Sequence, residues 1–168
     1  MKKTLTTFIL LIATLIIYGQ EKLLDILPTE NGVVIYTGVI QVDSVDKSTL
    51  YTRAKKWFID NYKSAKDVIQ LDDKENGEIT GKGNFKIYYY TREPYISHTI
   101  SFFVKDGRYK YIITNFSYTD NQSDKFSIEN FPKSWAGKKK LYSKVDEEAK
   151  ALIISIEKFM KIKPKDDW

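Results

Sequence analysis

Two alternating segments joined by Asp106-Gly107 constrain the fold of this chain more than any other feature of its sequence. Residues 95–105 and 108–118 are rich in β-branched and aromatic side chains, which is typical of strands. An Asp-Gly pair between two such segments favours a two-residue hairpin turn. A turn of that length pairs Lys105 with Arg108 and thereby sets the register of the whole hairpin.

The predicted register divides the side chains of this hairpin between two faces. One face is uniformly apolar or aromatic, and we expect it to meet the helices. It carries Ile100, Phe102, Val104, Tyr109, Tyr111 and Ile113. The other face is mixed, because it places Phe103 opposite Lys110 and Ser101 opposite Ile112, and we expect it to face solvent or a partner.

A helix is predicted before this hairpin by apolar residues that recur at helical spacing. They are Leu50, Tyr51, Ala54, Trp57, Phe58 and Tyr62. Asp46 or Ser48 can cap the start of the helix by accepting a hydrogen bond from a free backbone N–H group. Charged residues occupy the opposite side, so we expect the helix to pack on the sheet through one apolar stripe.

The remaining segments complete the pattern of an α+β domain. A β-branched strand is predicted at residues 33–42, and Asn76-Gly77 predicts a second hairpin between strands at 68–71 and 78–90. A second helix is predicted to open at Ser143. The resulting order, β-α-β-β-β-β-α, predicts an antiparallel sheet of about five strands with two helices on one face.

Gly81 and Gly83 lie on the face of strand 78–90 that also carries Ile79 and Phe85. Two core positions without side chains predict either the close approach of a helix or a β-bulge. A phosphate-binding loop is not favoured, since the spacing of a P-loop and its following Ser or Thr are absent.

Residues 1–19 have the pattern of a secretory signal peptide, with two lysines before an apolar run at 5–17 and a small residue at Gly19. The run is shorter than the roughly 20 apolar residues that a membrane span needs. We therefore expect an exported protein, periplasmic or extracellular, in which residues 20–168 form a single α+β domain without a membrane span. An uncleaved anchor is the alternative.

The sequence contains no cysteine, which excludes thiol chemistry, disulfide bonds and lipidation at the cleavage site. Removal of residues 1–19 would take away two lysines and no acidic residue, so the net charge would fall from +5 to +3. That charge is ordinary for a soluble domain and is not the footprint of a nucleic-acid-binding protein.

Few side chains offer catalytic chemistry, and we assign no catalytic, cofactor-binding or metal-binding residue. His98 is the only histidine in the chain. It could act as a general base, but a structural histidine that bonds to Asn115 or to a backbone carbonyl is favoured.

Four acidic residues surround the predicted turn at Asn76-Gly77. They are Asp72, Asp73, Glu75 and Glu78. They lack the spacing of a calcium loop, so a solvated turn is favoured over a metal site. A carboxylate-based hydrolase is an alternative function, and a carrier that holds an apolar small molecule between sheet and helices is another.

The mixed face of the sheet is the predicted partner-binding surface. It comprises Phe103, Lys110, Ile112, Phe116 and Lys86. An apolar patch with a cationic rim usually marks a contact site. The preferred hypothesis is a non-catalytic binding module of the bacterial envelope, with an envelope protein, peptide or glycan as its partner, and no nucleic acid.

The segment 119–141 shows no clear periodicity and is predicted to be long and irregular. It carries Phe131 and Trp135, which we expect to pack over the end of the core. Lys138-Lys139-Lys140 is interpreted as a solvated run before the second helix, with contact to anionic lipid as the alternative.

Several short motifs together resemble a known family. They are Leu27-Pro28, Asn31-Gly32, Leu50-Tyr51, Arg53-Ala54-Lys55-Lys56-Trp57-Phe58, Gln70-Leu71-Asp72-Asp73, Gly81-Lys82-Gly83, His98-Thr99-Ile100 and Lys105-Asp106-Gly107-Arg108-Tyr109. The chain resembles a bacterial domain of unknown function with a TBP-like fold, common in exported proteins of Bacteroidetes. The resemblance covers residues 30–118 and, more loosely, the C-terminal helix; it implies the same order of elements and no activity. Separately, Asp43-Ser44-Val45 resembles the O-glycosylation sequon of Bacteroidetes-type bacteria, a pattern that also arises often by chance.

The mature protein is expected to begin at Gln20, because signal peptidase cleaves after a small residue that follows the apolar run. Intact-mass measurement on protein from an envelope fraction should give the mass of residues 20–168. Detection of Met1 in that fraction would instead show that the N-terminal segment is retained.

Overall fold

The protein folds into an antiparallel sheet with helices on one face. The computed structural model describes residues 26–62, 64–88, 90–120, 125–131 and 136–162. The predicted signal peptide and Trp135 lie outside these residues. The strands are β1 (Thr29–Glu30), β2 (Val33–Val34), β3 (Tyr36–Gln41), β4 (Ile69–Asp73), β5 (Glu78–Lys86), β6 (Tyr95–Lys105), β7 (Arg108–Thr119) and β8 (Lys125–Ser127). The helices are α1 (Lys47–Asn61), α2 (Ala65–Val68) and α3 (Lys138–Met160).

The main sheet has six strands in the order β3-β7-β6-β5-β4, with β8 paired to the far end of β7. The short strands β1 and β2 pair separately. The predicted fold class, an antiparallel α+β sheet with two long helices on one face, is confirmed. Predicted strand 33–42 is divided between β2 and β3, and predicted strand 78–90 ends earlier, at Lys86.

The β6–β7 hairpin has the predicted register. Lys105 pairs with Arg108, Phe103 with Lys110, and Ser101 with Ile112. Gly107 has a φ of 71°, a conformation that this turn requires and that glycine adopts without strain. The six side chains predicted to meet the helices are all buried.

A β-bulge in β7 ends this register after the pair Thr99–Thr114, and pairing resumes one residue out of step at Ser97–Ser117. Asn115 occupies the bulge with a φ of 57°, a conformation that asparagine tolerates better than most residues. One extra residue exchanges the two faces of a strand. Phe116 is therefore 1% exposed in the core, and the prediction that it lies on the open face is wrong.

Helix α1 begins at the predicted cap Asp46, whose Oδ1 accepts a hydrogen bond from the backbone N–H of Thr49 at 2.8 Å. Its buried residues are Leu50, Tyr51, Ala54, Trp57 and Phe58. The indole Nε1 of Trp57 donates to Ser155 Oγ at 3.1 Å, which ties α1 to α3.

The glycine pair of β5 lies directly beneath α1. A Cβ atom on Gly81 would stand 2.5 Å from the ring of Phe58, and Gly83 is covered in the same way by the ring of Tyr62. The predicted close approach of a helix is thus confirmed, because any larger residue at either position would displace an aromatic ring of α1 or its C-cap.

Helix α3 starts at Lys138, five residues before the predicted start at Ser143. Lys138 is 8% exposed, and its Nζ donates to the backbone carbonyl of Phe131 at 2.9 Å. The lysine run therefore forms the first turn of the helix, and its interpretation as a solvated run is wrong for Lys138. Phe131 is buried, as predicted, and it contacts Tyr118 with ring centroids 5.2 Å apart.

Trp57→Ala is expected to reduce the free energy of unfolding by about 3–5 kcal/mol, because it leaves a large cavity under α1. Trp57 is fully buried, whereas Ile59 on the same helix is 52% exposed. The matched control Ile59→Ala should cost less than about 0.5 kcal/mol. Urea melts of both variants check this, and equal losses would mean that α1 does not depend on Trp57.

Candidate binding surface on the open sheet face

The face of the main sheet opposite the helices carries side chains that are only half-buried or exposed. Phe103 of β6 and Ile112 of β7 are half-buried there, and Val39 of the edge strand β3 is 58% exposed. In a sheet with helices on one side, this is the face that the fold leaves open to solvent. We call it the open face.

A groove of about 460 Å³ lies on the open face near the Asp106-Gly107 turn. It is lined by Val39, Phe103, Lys105, Arg108, Tyr109, Lys110 and Ile112. We call it the Phe103 groove. Sheet pairing builds it, because Lys110 lies between Val39 on one side and Phe103 on the other.

Three of the five predicted surface residues, Phe103, Lys110 and Ile112, meet in this groove. Lys86 does not, since it pairs with Tyr95 in register, eight residues along β6 from Phe103 and therefore roughly 26 Å away. Its Nζ lies 2.6 Å from a carboxylate oxygen of Glu93.

Four further residues line the groove that were not predicted to do so: Val39, Lys105, Arg108 and Tyr109. The positions of Lys105 and Arg108 follow from the hairpin register, so that signal was present in the sequence. The position of Val39 depends on the pairing of β3 with β7, which are far apart in the chain.

The charges around the groove are arranged unevenly. Lys105 and Arg108 lie directly opposite each other, and Lys110 follows on the same face. None of the three forms an ion pair or a side-chain hydrogen bond with another described residue. Like charges opposite each other in a sheet repel, so this corner presents a cluster of three cations, with Asp106 in the turn beside it.

Acidic side chains lie on the other side of Phe103 in the same row of the sheet. Glu78 of β5 pairs with Phe103, and Asp73 of β4 pairs with Glu78. Hydrogen bonds from Asn76 lower the pKa of Asp73, so its carboxylate stays ionised at neutral pH. Along this row the charge therefore changes from positive at Lys110 to negative at Glu78, and the next cation on this face of β5 is Lys82, four residues from Glu78.

His98 lies within the core, 2% exposed, and its Nε2 shares a hydrogen bond with the hydroxyl of Tyr62 at 3.1 Å. The suggested partner Asn115 instead donates from its Nδ2 to Thr99 Oγ1 at 3.4 Å, because the bulge moves it out of register. Phe85 stacks on the imidazole with ring centroids 5.2 Å apart. Burial lowers the pKa of His98 to about 4.

The acidic residues near Asn76-Gly77 are partly used by the fold. Asp72 accepts hydrogen bonds from Lys55 Nζ at 2.6 Å and from the Tyr51 hydroxyl, and the bond from Lys55 is the largest cause of its lowered pKa. These bonds hold the edge strand β4 against α1. Across the described ranges, no three acidic or histidine side chains lie close enough to share a metal ion.

A second cavity of about 600 Å³ lies between α1 and α3, away from the sheet. Arg53 and Phe159 line it, and Arg53 Nη1 donates to the carbonyl of Met160 at 2.7 Å. None of the helices in the described part of the chain is long and apolar enough to cross a bilayer.

The fold and this surface define a small α+β domain in which helices cover one face of an antiparallel sheet and leave the other open. A family model described as "Domain of unknown function (DUF4468) with TBP-like fold" matches residues 36–119, half of the chain, and the protein belongs to this family. The resemblance inferred from its motifs is confirmed.

Two solved structures have the same fold. A TBP-like protein from Parabacteroides distasonis superposes with a TM-score of 0.73 at 14% identity, over 83% of this chain and 100% of that one. A DUF4468 family protein from Bacteroides ovatus gives a TM-score of 0.68 at 16% identity, over 85% and 95% of the two chains. No protein with a curated description matches the sequence.

The burial of His98 predicts a specific dependence of stability on pH. Its pKa is near 6.5 in the unfolded chain and about 4 in the folded protein. Between these two pKa values the unfolded chain takes up the proton and the folded protein does not. The free energy of unfolding therefore falls by up to about 1.4 kcal/mol for each pH unit as the pH is lowered.

His98→Gln removes this titration. The stability difference between wild type and variant should shrink by about 2 kcal/mol between pH 7 and pH 5, measured by urea melts at both values. A difference that stays constant would show that His98 is protonated as readily in the folded protein as in the unfolded chain.

Proposed function

We propose that this protein is an exported, non-catalytic binding module of the bacterial envelope, and that the Phe103 groove binds a partner protein. The observation that carries the proposal is the groove itself. It joins three apolar side chains, Val39, Phe103 and Ile112, which we call the apolar floor, to three cations on a face that the helices leave open. Within the described part of the chain these cations have no ion-pair partner. The signal-peptide pattern of residues 1–19 supports export.

The apolar floor favours association because it remains accessible in the isolated chain. Val39, Phe103 and Ile112 all keep part of their surface in water. Burial of apolar surface contributes about 25 cal/mol per Å², so full cover of one such side chain contributes on the order of 1.5–3 kcal/mol. A partner that fills the groove would gain part of this free energy.

The cationic corner adds specificity to that association. The opposed pair Lys105 and Arg108 is unfavourable in the free protein, and an anionic group of a partner would relieve the repulsion. Complementary charge mainly raises the association rate and excludes wrong partners. We therefore assign recognition to this corner and most of the affinity to the apolar floor.

The burial of His98 argues against the hydrolase alternative. A general base must come within hydrogen-bond distance of the substrate, and His98 lies in the core with Tyr62 as its partner. Asp72 is held by Lys55 and Tyr51. The carrier alternative places a small molecule between sheet and helices, whereas the Phe103 groove opens to solvent on the other face.

A double variant tests the proposed surface. Phe103→Ser with Ile112→Ser should remain folded, because neither residue is in the buried core, and should lose the partner. The matched control is Ile59→Ser with Ile154→Ser, since both residues are exposed on the helices. The control should keep the partner, because it removes the same kind of surface from the other side of the molecule.

Thermal melts measure whether each variant is folded. Residues 20–168 of the wild type and of each variant are then used to capture the partner protein from native envelope extract. A photo-crosslinking residue at position 39 should attach to the captured protein, and the same residue at position 154 should not. The proposal is contradicted if the folded double variant captures the same protein, or if the crosslink forms only from position 154.

A further inference from the structure

Resting on the proposed function, we infer that the Phe103 groove recognises a polypeptide segment whose charge changes sign along its length. Acidic residues of the segment lie over Lys105, Arg108 and Lys110. An apolar residue lies in the groove, and basic residues reach Glu78 and Asp73.

The inference starts from one row of side chains that crosses the sheet. In register, Val39 of β3 is followed by Lys110 of β7, Phe103 of β6, Glu78 of β5 and Asp73 of β4. Neighbouring strands lie about 4.8 Å apart, so the row is roughly 19 Å long. An extended polypeptide rises about 3.3 Å per residue, so about six residues would cover the row.

The row carries a cation, Lys110, on one side of Phe103 and two acidic residues, Glu78 and Asp73, on the other. Asp73 already accepts two hydrogen bonds from Asn76. Lys105, Arg108 and Lys110 form no ion pair within the described residues, and neither does Glu78. Phe103 lies between Lys110 and Glu78, whereas Val39 lies beyond Lys110 at the end of the row. A ligand that complements Lys110, Phe103 and Glu78 together therefore needs an anionic part, an apolar part and a cationic part in that order.

Uniform polyanions fit this arrangement poorly. A nucleic acid strand carries one phosphate per nucleotide, and a membrane of anionic lipids presents negative charge over its whole area. Either would bring negative charge onto Glu78 and Asp73, well within the Debye length of about 10 Å at 0.1 M salt. A polypeptide can place side chains of both signs within about six residues, so this surface favours that class of ligand.

A random peptide library displayed on phage tests this ligand class. Selection is made on the wild type, with removal of phage that bind the folded Phe103→Ser, Ile112→Ser double variant. Selected peptides should carry acidic residues on one side of an apolar residue and basic residues on the other.

Two charge variants then test the acidic and the basic residue of the row separately. The selected peptides should bind the Glu78→Lys and Lys110→Glu variants about tenfold or more weakly than the wild type, as fluorescence polarisation can measure. Library selection on Glu78→Lys should return peptides without the basic block. Single-stranded oligothymidylate and phosphatidylglycerol vesicles should bind the wild type weakly and Glu78→Lys more tightly, because that variant replaces the carboxylate beside Phe103 with a cation.

The outcomes separate this inference from the proposed function. The inference is overturned if the wild type binds oligothymidylate or vesicles more tightly than any selected peptide. It is also overturned if the selected peptides carry charges of only one sign, or if the selection yields no peptide that depends on the groove. In each case the proposed function stands if position 39 still crosslinks an envelope protein that the double variant cannot capture. If that crosslink is absent as well, both conclusions fall.

Discussion

The turn of the β6–β7 hairpin fixes the positions of the elements around it. It organises the segment between β3 and α1, because the carbonyl of Gly107 accepts from Val42 N–H at 2.8 Å and Gly107 N–H donates to the carbonyl of Val45 at 2.8 Å. Asp106 Oδ1 accepts from the N–H of Lys47, the first residue of α1, at 2.7 Å. One turn therefore holds the central strand pair, the edge strand and the start of the helix together.

The helices cover only one face of the sheet, and this asymmetry explains both the core and the candidate site. On the covered face, glycines at 81 and 83 allow Phe58 and Tyr62 to approach the backbone of β5. On the open face, the same strands keep larger side chains partly in water, including Phe103. Likeness of fold to other family members does not transfer a function, so our proposals depend on the charges and shape of this face alone.

Much of the fold could be predicted because its signals are local. The Asp106-Gly107 turn predicted the register of β6 and β7, and therefore the meeting of Phe103 with Lys110. The bulge at Asn115 was missed, although the apolar positions shift from Ile113 to Phe116 and so break the period of two. That shift is a weak signal on its own, because a bulge and an ordinary polar position give the same pattern over a few residues.

Taken alone, the sequence predicts the main strands of the sheet, the two long helices, the hairpin turn, the cap at Asp46 and most of the apolar faces, but not the short elements β1, β8 and α2. These properties depend on residues that lie within a few positions of each other in the chain. Only the tertiary structure decided that Phe116 is buried, that His98 bonds to Tyr62, and that Val39 completes the groove. The physical reason is that each of these depends on contacts between distant segments, where burial and strand pairing outweigh local preference.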